Sequence, residues 1–403
     1  MKKWRVVLSV VGCLFLVGCV QSREETEEVK KEKREEIVLW SYYETDMQKT
    51  ALDELAQGFN ESQSQYELSW EYHGPATEFN KLLAIGITQE QLPDMVIIDN
   101  PDMPKYIKSN QFEDITEEVS KWKEMDEYFE NVIGSVKYNG RYYGIPYCCN
   151  NLGIIYNKDI FEKENIPVPR TWEEFKDVAI RLTTEERKGF AMSAIPGEQS
   201  AFQIGTWILA GGDDIQKIGG KGTERAFGMI QDLIENKALS EECINWSQND
   251  VARVFIDGGC AMMENGSWVF PALEGAGMNY GVAKIPSESG DSGLTGGENI
   301  AIIKGKNVKG SLEFMRYYSK QEIMLNTNLR ANSMPPKKNA AKLFLNAKPE
   351  HRVFMEQMEN CVSRTSYEEW EKLSECLSET QYRVVTGEMT AKEACDYIRD
   401  FMK

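Results

Sequence analysis

Residues 37 to 42, Ile37-Val38-Leu39-Trp40-Ser41-Tyr42, are a short run of β-branched, aliphatic and aromatic side chains that reads as a buried strand. A helix is expected next, because Leu52, Leu55, Ala56 and Phe59 recur on one helical face. Tyr66 to Tyr72 reads as a second strand, Phe79, Leu82 and Leu83 mark a second helix, and Met95-Val96-Ile97-Ile98-Asp99 is a third strand after the break at Pro93. The order β-α-β-α-β predicts an α/β chain with a parallel sheet covered on both faces. Such sheets hold ligands at the carboxyl ends of their strands. Here those ends are Trp40 to Tyr43, Tyr72-His73-Gly74 and Asp99-Asn100.

Upstream, Val20 to Glu36 carries twelve charged residues in seventeen, of both signs and with no apolar face, which predicts a solvated tether. Fully extended, it would reach about 55 Å. Before it, a basic Met1-Lys2-Lys3-Trp4-Arg5 head leads into an apolar run, Val6 to Val20, that is too short for a stable spanning helix. Leu16-Val17-Gly18-Cys19 within that run resembles the lipobox at which bacterial prolipoproteins are cut and lipidated. The resemblance implies that residues 1–18 are a signal peptide, that residues 19–36 are a lipid-anchored tether, and that Cys19 carries the anchor. Stable anchoring needs more than one acyl chain, which a diacylglyceryl cysteine supplies. The expected address is the extracellular side of the cell membrane, with membrane contact through the anchor only.

The formal charge is −18, and loss of Lys2, Lys3 and Arg5 with the signal makes it more negative. Phosphate backbones and anionic lipid surfaces repel such a chain, so nucleic acid is excluded as a partner. With 41% hydrophobic residues over 403 positions, the chain can bury two cores, and a monomer is expected. Apart from Cys13 in the signal and Cys19, the cysteines are Cys148, Cys149, Cys243, Cys260, Cys361, Cys376 and Cys395, an odd set without a CxxC pair. They make a poor disulfide framework and read as small buried hydrophobes. No metal site and no cofactor is predicted.

Downstream, Tyr138 to Tyr147 reads as a turn and short strand, and Asn150 to Lys158 as an extended run that starts a new unit. Thr171-Trp172-Glu173-Glu174 has capping-box spacing, so a helix should open at Thr171. Helices follow near 199–209, 223–236 and 250–256, and extended pieces near 260–263, 280–285 and 299–303. The last hundred residues read as helical, broken near Pro335-Pro336.

Four segments carry a resemblance. The first runs through Asn139-Gly140-Arg141-Tyr142-Tyr143-Gly144-Ile145-Pro146, then Leu152-Gly153-Ile154-Ile155-Tyr156-Asn157-Lys158-Asp159-Ile160-Phe161 and Pro169-Arg170-Thr171-Trp172-Glu173-Glu174-Phe175. The others are Gly258 through Trp268, with Ala261-Met262-Met263 and Gly266-Ser267-Trp268; Gly281 to Pro286 followed by Gly296-Gly297-Glu298-Asn299; and Leu92-Pro93-Asp94. Their order resembles the extracellular solute-binding proteins that feed sugar ABC importers. The resemblance implies a two-lobe, periplasmic-binding-protein-like fold of type II, with a ligand cleft between lobes joined by crossing hinge strands. It places the crossings near Tyr147, near Lys284 and at Ser319 to Asn332. The N-terminal lobe would hold residues 37–147 plus 284–320, and the C-terminal lobe 148–283 plus 321–403. The implied partners are a carbohydrate ligand and ABC permease subunits.

A sugar ring offers apolar C–H faces and a hydroxyl rim, so its binder needs aromatic platforms with amides, carboxylates or guanidinium groups beside them. Trp268 matches a position at which the family stacks a sugar, with a core tryptophan as the other reading. Trp40 and Tyr42 end the first strand, and one of them is expected to face the cleft while the other packs. Tyr147 lies at the first crossing. Asn150 occupies a place where the family has a ligand-contacting carboxylate, and an amide there still pairs with hydroxyls. Glu298, beside Gly296-Gly297, can approach a ligand closely or be a solvated loop residue. Asp99 can meet ligand or cap a helix. Asn151 can bond ligand or backbone, and Trp207 line the cleft or the core. Arg330 can fork onto hydroxyls or pair with an acidic neighbour. His73 is a further candidate at the second strand end, whereas His351 reads as helix surface.

An enzyme is not expected. HExxH, GxSxG and P-loop motifs are absent and only two histidines are present. A glycoside hydrolase needs only two carboxylates and stays open as an alternative, as does a tethered carbohydrate-binding adhesin or sensor.

Overall fold

The computed structural model describes residues 33–287 and 293–403. The signal segment, Cys19 and the tether up to residue 32 lie outside the described residues. Among the described residues, no helix is long and apolar enough to cross a membrane.

The first strand, β1 (Glu35–Ser41), begins two residues before the expected start and pairs in parallel with β2 (Tyr66–Tyr72) and β3 (Met95–Asp99). Between β1 and β2 the helix Asp46–Ser62 buries Ala51, Leu52, Leu55, Ala56 and Phe59, the face that the sequence periodicity marks. A tight hairpin joins β4 (Lys137–Tyr138) to β5 (Arg141–Tyr142) through Asn139 and Gly140, both at positive φ. After it, β6 (Gly144–Pro146) leads the chain out of the first lobe. The second lobe has its own sheet, ordered β10-β7-β9-β8, from β7 (Gly153–Asn157), β8 (Lys188–Ala191), β9 (Cys260–Asn265) and β10 (Tyr280–Ala283). The chain then passes through β11 (Gly293–Thr295) and returns as β12 (Glu298–Ile302), antiparallel to both β3 and β6. The first sheet is therefore β2-β1-β3-β12-β6. β1, β2, β3 and β6 run in one direction, and the returning β12 lies between β3 and β6 in the opposite one. A last short strand, β13 (Cys361–Ser363), pairs with β11.

One core fills the first lobe around Phe59, Ile97, Ile300 and Phe314. The second lobe has two, one on each face of its sheet. Ile154 points into the core of Trp172, Phe190 and Trp207, while its neighbour Ile155 points into that of Phe255, Phe270 and Phe354. Cys148 and Cys149 divide in the same way, the first entering the first-lobe core and the second a second-lobe core. All seven described cysteines are buried.

Helix Gln321–Ala331 lies at the expected third crossing. It puts Met324 into the first-lobe core, and Arg330 on it pairs with Glu54 of the first-lobe helix Asp46–Ser62. Met334 and then helix Lys338–Ala347, through Ala341 and Phe344, enter a second-lobe core. The chain thus changes lobe between Asn332, which ends a helix at φ +54°, and Lys337, across Pro335-Pro336. Leu325 and Leu329 of helix Gln321–Ala331 pack against a second-lobe core, so that helix touches both lobes.

Candidate ligand cleft

The carboxyl ends of the first-lobe strands meet the start of the second lobe. Glu298 opens β12 directly opposite Asp99, the last residue of β3, so two carboxylates stand side by side on one face. The Tyr42 hydroxyl donates to Glu298 Oε1 at 3.0 Å, and the Cys148 thiol donates to Oε2 at 2.6 Å. Burial and the Glu298 charge push the Cys148 thiol well above its ordinary pKa, so it stays a neutral donor. One step along, Asn150 and Gly296 exchange backbone hydrogen bonds at 3.0 and 2.8 Å. The side-chain Oδ1 of Asn150 is buried there without a partner. Gly296 makes this possible, since a Cβ on it would stand 2.0 Å from that oxygen.

From the second lobe Arg364 reaches into the same place and is 3% exposed. Its Nη2 donates to Asp99 Oδ1 at 3.1 Å and Asn100 Oδ1 at 3.0 Å, both in the first lobe. Its Nη1 donates to Glu198 Oε1 at 2.6 Å, and its Nε to the Thr295 carbonyl at 3.2 Å. Burial above all pushes the Asp99 carboxyl up to about 8; Arg364 opposes that rise, and Asp102, Glu298 and Glu198 add to it. Burial likewise lifts Asp102 to about 6, against a hydrogen bond from Asn80. A cavity of about 290 Å³ beside Glu198 is lined by Asp102, Lys105 and Lys108 from the first lobe and Glu368, Trp370 and Glu371 from the second.

Trp268 follows β9 on a short helical turn, half-buried, with its ring folded over Gly266. It lies at the crossing end of the second sheet, where Asn265 pairs with Gly153. His73 stacks on Trp40 at 3.6 Å, and both rings bond Glu71 Oε2. Tyr42, Asp99, Asn150 and Glu298 are thus gathered at one place, and His73 and Trp268 remain partly open at strand ends.

The remaining candidates are placed elsewhere. Trp40 is 9% exposed, with His73 on one face and Gly86 of helix Ala76–Gln89 close to its ring edge, so of the strand-end pair it packs while Tyr42 meets Glu298. Tyr147 is fully buried in the first-lobe core and stacks on Tyr318. Asn151 is buried and donates to the Phe354 carbonyl, its backbone-binding alternative. Trp207 lies in the second-lobe core against Trp172, Phe175 and Phe190, donating to Glu264 Oε2 at 3.0 Å. Arg330 is on the surface, engaged with Glu54 rather than with the cleft. His351 is fully buried between Phe270 and Phe344, not on a helix surface.

Sequence reading did not single out Arg364 and Glu198, which the structure brings beside Asp99 and Asn100. Glu198 carried a usable signal, because it opens a helix directly after Gly197, which sits at φ +122°. Arg364 carried none, since its first-lobe partners are 264 and 265 positions away.

The family model of the bacterial extracellular solute-binding proteins matches residues 54–351. The Multiple sugar-binding protein of Streptococcus mutans is 20% identical over 353 residues, covering 80% of each chain. The sn-glycerol-3-phosphate-binding periplasmic protein UgpB of Agrobacterium fabrum is 22% identical over 324 residues, covering 74% of this chain and 73% of its own. Among solved structures, the GacH receptor of Streptomyces glaucescens superposes with a TM-score of 0.80 at 20% identity, over 92% of this chain and 98% of that one. An ABC transporter solute-binding protein of Thermotoga lettingae, solved with α-D-tagatose, gives 0.80 at 20% identity over 92% and 100%. These likenesses carry the two-lobed fold, and the match of the family model over most of the chain places this protein among the bacterial extracellular solute-binding proteins.

Proposed function

We propose that the protein captures a neutral carbohydrate, in the size range of an oligosaccharide, by closing its lobes, and presents it to an ABC permease while Cys19 holds it at the outer face of the membrane. The observation that carries this reading is the cluster of Tyr42, Asp99, Asn150 and Glu298, where carboxylates are matched to hydroxyl, thiol and amide groups and a buried amide oxygen stands ready for a donor. Such groups bond vicinal hydroxyls, and Trp268 and His73 offer flat apolar surface beside them. The names of the relatives also raise a phosphorylated glycerol as ligand. Arg364 speaks against it, because this buried guanidinium already pairs with Asp99 and Glu198. No turnover is expected.

The test is a thermal-shift and calorimetric panel of neutral oligosaccharides with sn-glycerol 3-phosphate alongside. A neutral sugar at a hundredfold its Kd should stabilise the protein by about 2.7 kcal/mol. Stabilisation by sn-glycerol 3-phosphate alone would overturn the assignment, and release of hydrolysis products would make the protein an enzyme. Mass spectrometry of ligand carried through purification names the sugar.

A further inference from the structure

The chain is acidic as a whole, with 46 basic and 64 acidic residues, yet between Lys304 and Arg352 stand eight lysines and three arginines against three glutamates. The first-lobe part of that stretch runs from Lys304 to Lys320 and holds four lysines and one arginine against Glu313 alone. It comprises the turn after β12 and the helix Val308–Tyr318. On that helix Lys309 and Arg316 are seven positions apart on one exposed face, with Glu313 between them, while Gly310, Phe314 and Met315 are buried. Lys320 follows, exposed, its ammonium 5.2 Å from the Tyr317 ring. Among the described residues none of these five cations forms an ion pair, and Lys304 donates only to the neutral Asn110 side-chain oxygen. The carboxylates nearest the turn are turned to amides instead: Glu113 accepts from Gly305 N, Asp94 from Asn307 N and Glu35 from Asn307 Nδ2.

The place of this face matters as much as its sign. Glu35 opens β1, so the bond from Asn307 sets the basic turn at the root of the N-terminal segment. Gly310 packs there too, since a Cβ on it would stand 2.8 Å from both Ile37 and Tyr66. The turn lies beyond Ile302, at the end of β12 opposite to Glu298 and the ligand cluster.

We propose that the face from Lys304 to Lys320 docks on anionic lipid headgroups, so that the first lobe rests on the membrane that holds the tether while the ligand cluster stays clear of it. Each lysine or arginine near such a surface adds attraction, and a tether keeps the face at high local concentration. A contact too weak to hold a free protein is then enough. The negative body of the chain opposes docking only within the screening length, about 8 Å at 0.15 M salt. The contact adds to the anchor and sets the posture of the lobe, which a flexible tether alone leaves undefined.

The inference rests on the reading of Cys19 as the anchor, but not on which ligand the protein takes. Lysine acetylation read by mass spectrometry tests it, with the lipidated protein on vesicles of phosphatidylcholine alone or with phosphatidylglycerol added. On the anionic vesicles at 0.1 M salt, Lys304, Lys309 and Lys320 should be acetylated about three- to tenfold more slowly than on the neutral ones. Lys217 and Lys237, exposed on the second lobe, should react alike on both. The difference should vanish at 1 M salt, where the screening length is about 3 Å. Lys309→Gln with Arg316→Gln, both at exposed positions without an ion pair, should abolish the slowing at Lys304 and leave sugar binding unchanged. Equal rates on the two lipids overturn the proposal, as does a slowing that survives in the double variant. Equal slowing by soluble polyphosphate would make the face a polyanion site, and slowing on neutral vesicles that grows with protein density would assign it to a second copy; either result overturns the lipid assignment. Loss of the protein from neutral vesicles would sink the anchor and leave the face to be read on anionic ones, whereas retention with equal rates would sink the face and leave the anchor standing.

Discussion

His351 shows how one buried group ties the fold to pH. Its ring sits between Phe270 and Phe344, each with centroids 5.0 Å away, and burial foremost, then the Lys348 charge, lowers its pKa to about 4. The folded protein therefore takes up this proton less readily than the unfolded chain does. The contribution of His351 is complete above pH 6.5 and is lost as pH falls from 6.5 towards 4, by about 3 kcal/mol at pH 4. Denaturant unfolding of His351→Leu beside the parent at pH 7 and pH 4 checks this. The variant should gain on the parent by about that amount over the interval, and parallel curves would refute the assignment. The same comparison explains what a sequence can yield at this scale. Asp99 and Tyr42 were legible because strand ends are where an α/β sheet places its ligand groups, and Glu298 because it stands beside two glycines that let a backbone approach closely. Tyr147 was read as a cleft residue and Trp207 left open between cleft and core, because an aromatic residue has the same chemistry in a core as in a cleft, and only packing partners distant in sequence decide between them.

Among the elements, the turn between β11 and β12 is tightly constrained. Gly297 sits at φ +126°, and a Cβ there would stand 2.4 Å from the Cys148 carbonyl and 2.7 Å from Cys149 Cα. Two crossing segments pass so closely that only hydrogen fits between them. Gly297→Ala should lower unfolding free energy by about 2–4 kcal/mol and weaken ligand binding as well, because Glu298 is the next residue. Equilibrium unfolding and titration of the same sample separate the two effects; a loss below about 0.5 kcal/mol would show that the crossing has room to adjust. Local elements of this kind were readable where the signal is itself local. Thr171 accepts from Glu174 N at 3.2 Å and Glu174 Oε2 accepts from Thr171 N at 3.3 Å, the reciprocal cap its spacing predicts. The parallel pairing of β1, β2 and β3 also follows from alternation. What alternation cannot carry is the return of β12, since nothing in a five-residue apolar strand specifies which of two sheets it joins.

For the whole molecule the deciding quantity is charge. The formal charge of −18 has a local counterpart in the cleft, where Asp99, Asp102, Glu198 and Glu298 gather around Arg364. A ligand anion 8 Å from an uncompensated carboxylate would be opposed by about 2 kcal/mol at an effective dielectric of 20. Salt weakens that opposition, because the screening length falls from about 10 Å at 0.1 M to about 3 Å at 1 M. A neutral sugar held by hydroxyl contacts feels neither effect. Its Kd should therefore change less than about twofold between 0.05 and 0.5 M sodium chloride, whereas any binding of sn-glycerol 3-phosphate should tighten across the same range. Calorimetric titration of both at the two salt concentrations distinguishes these cases. A neutral ligand whose affinity falls tenfold with salt would be making an ionic contact after all. A phosphate ester that weakens with salt would mean that Arg364 leaves its carboxylates to meet it, and the cleft would then be an anion site whose guard is also its receptor.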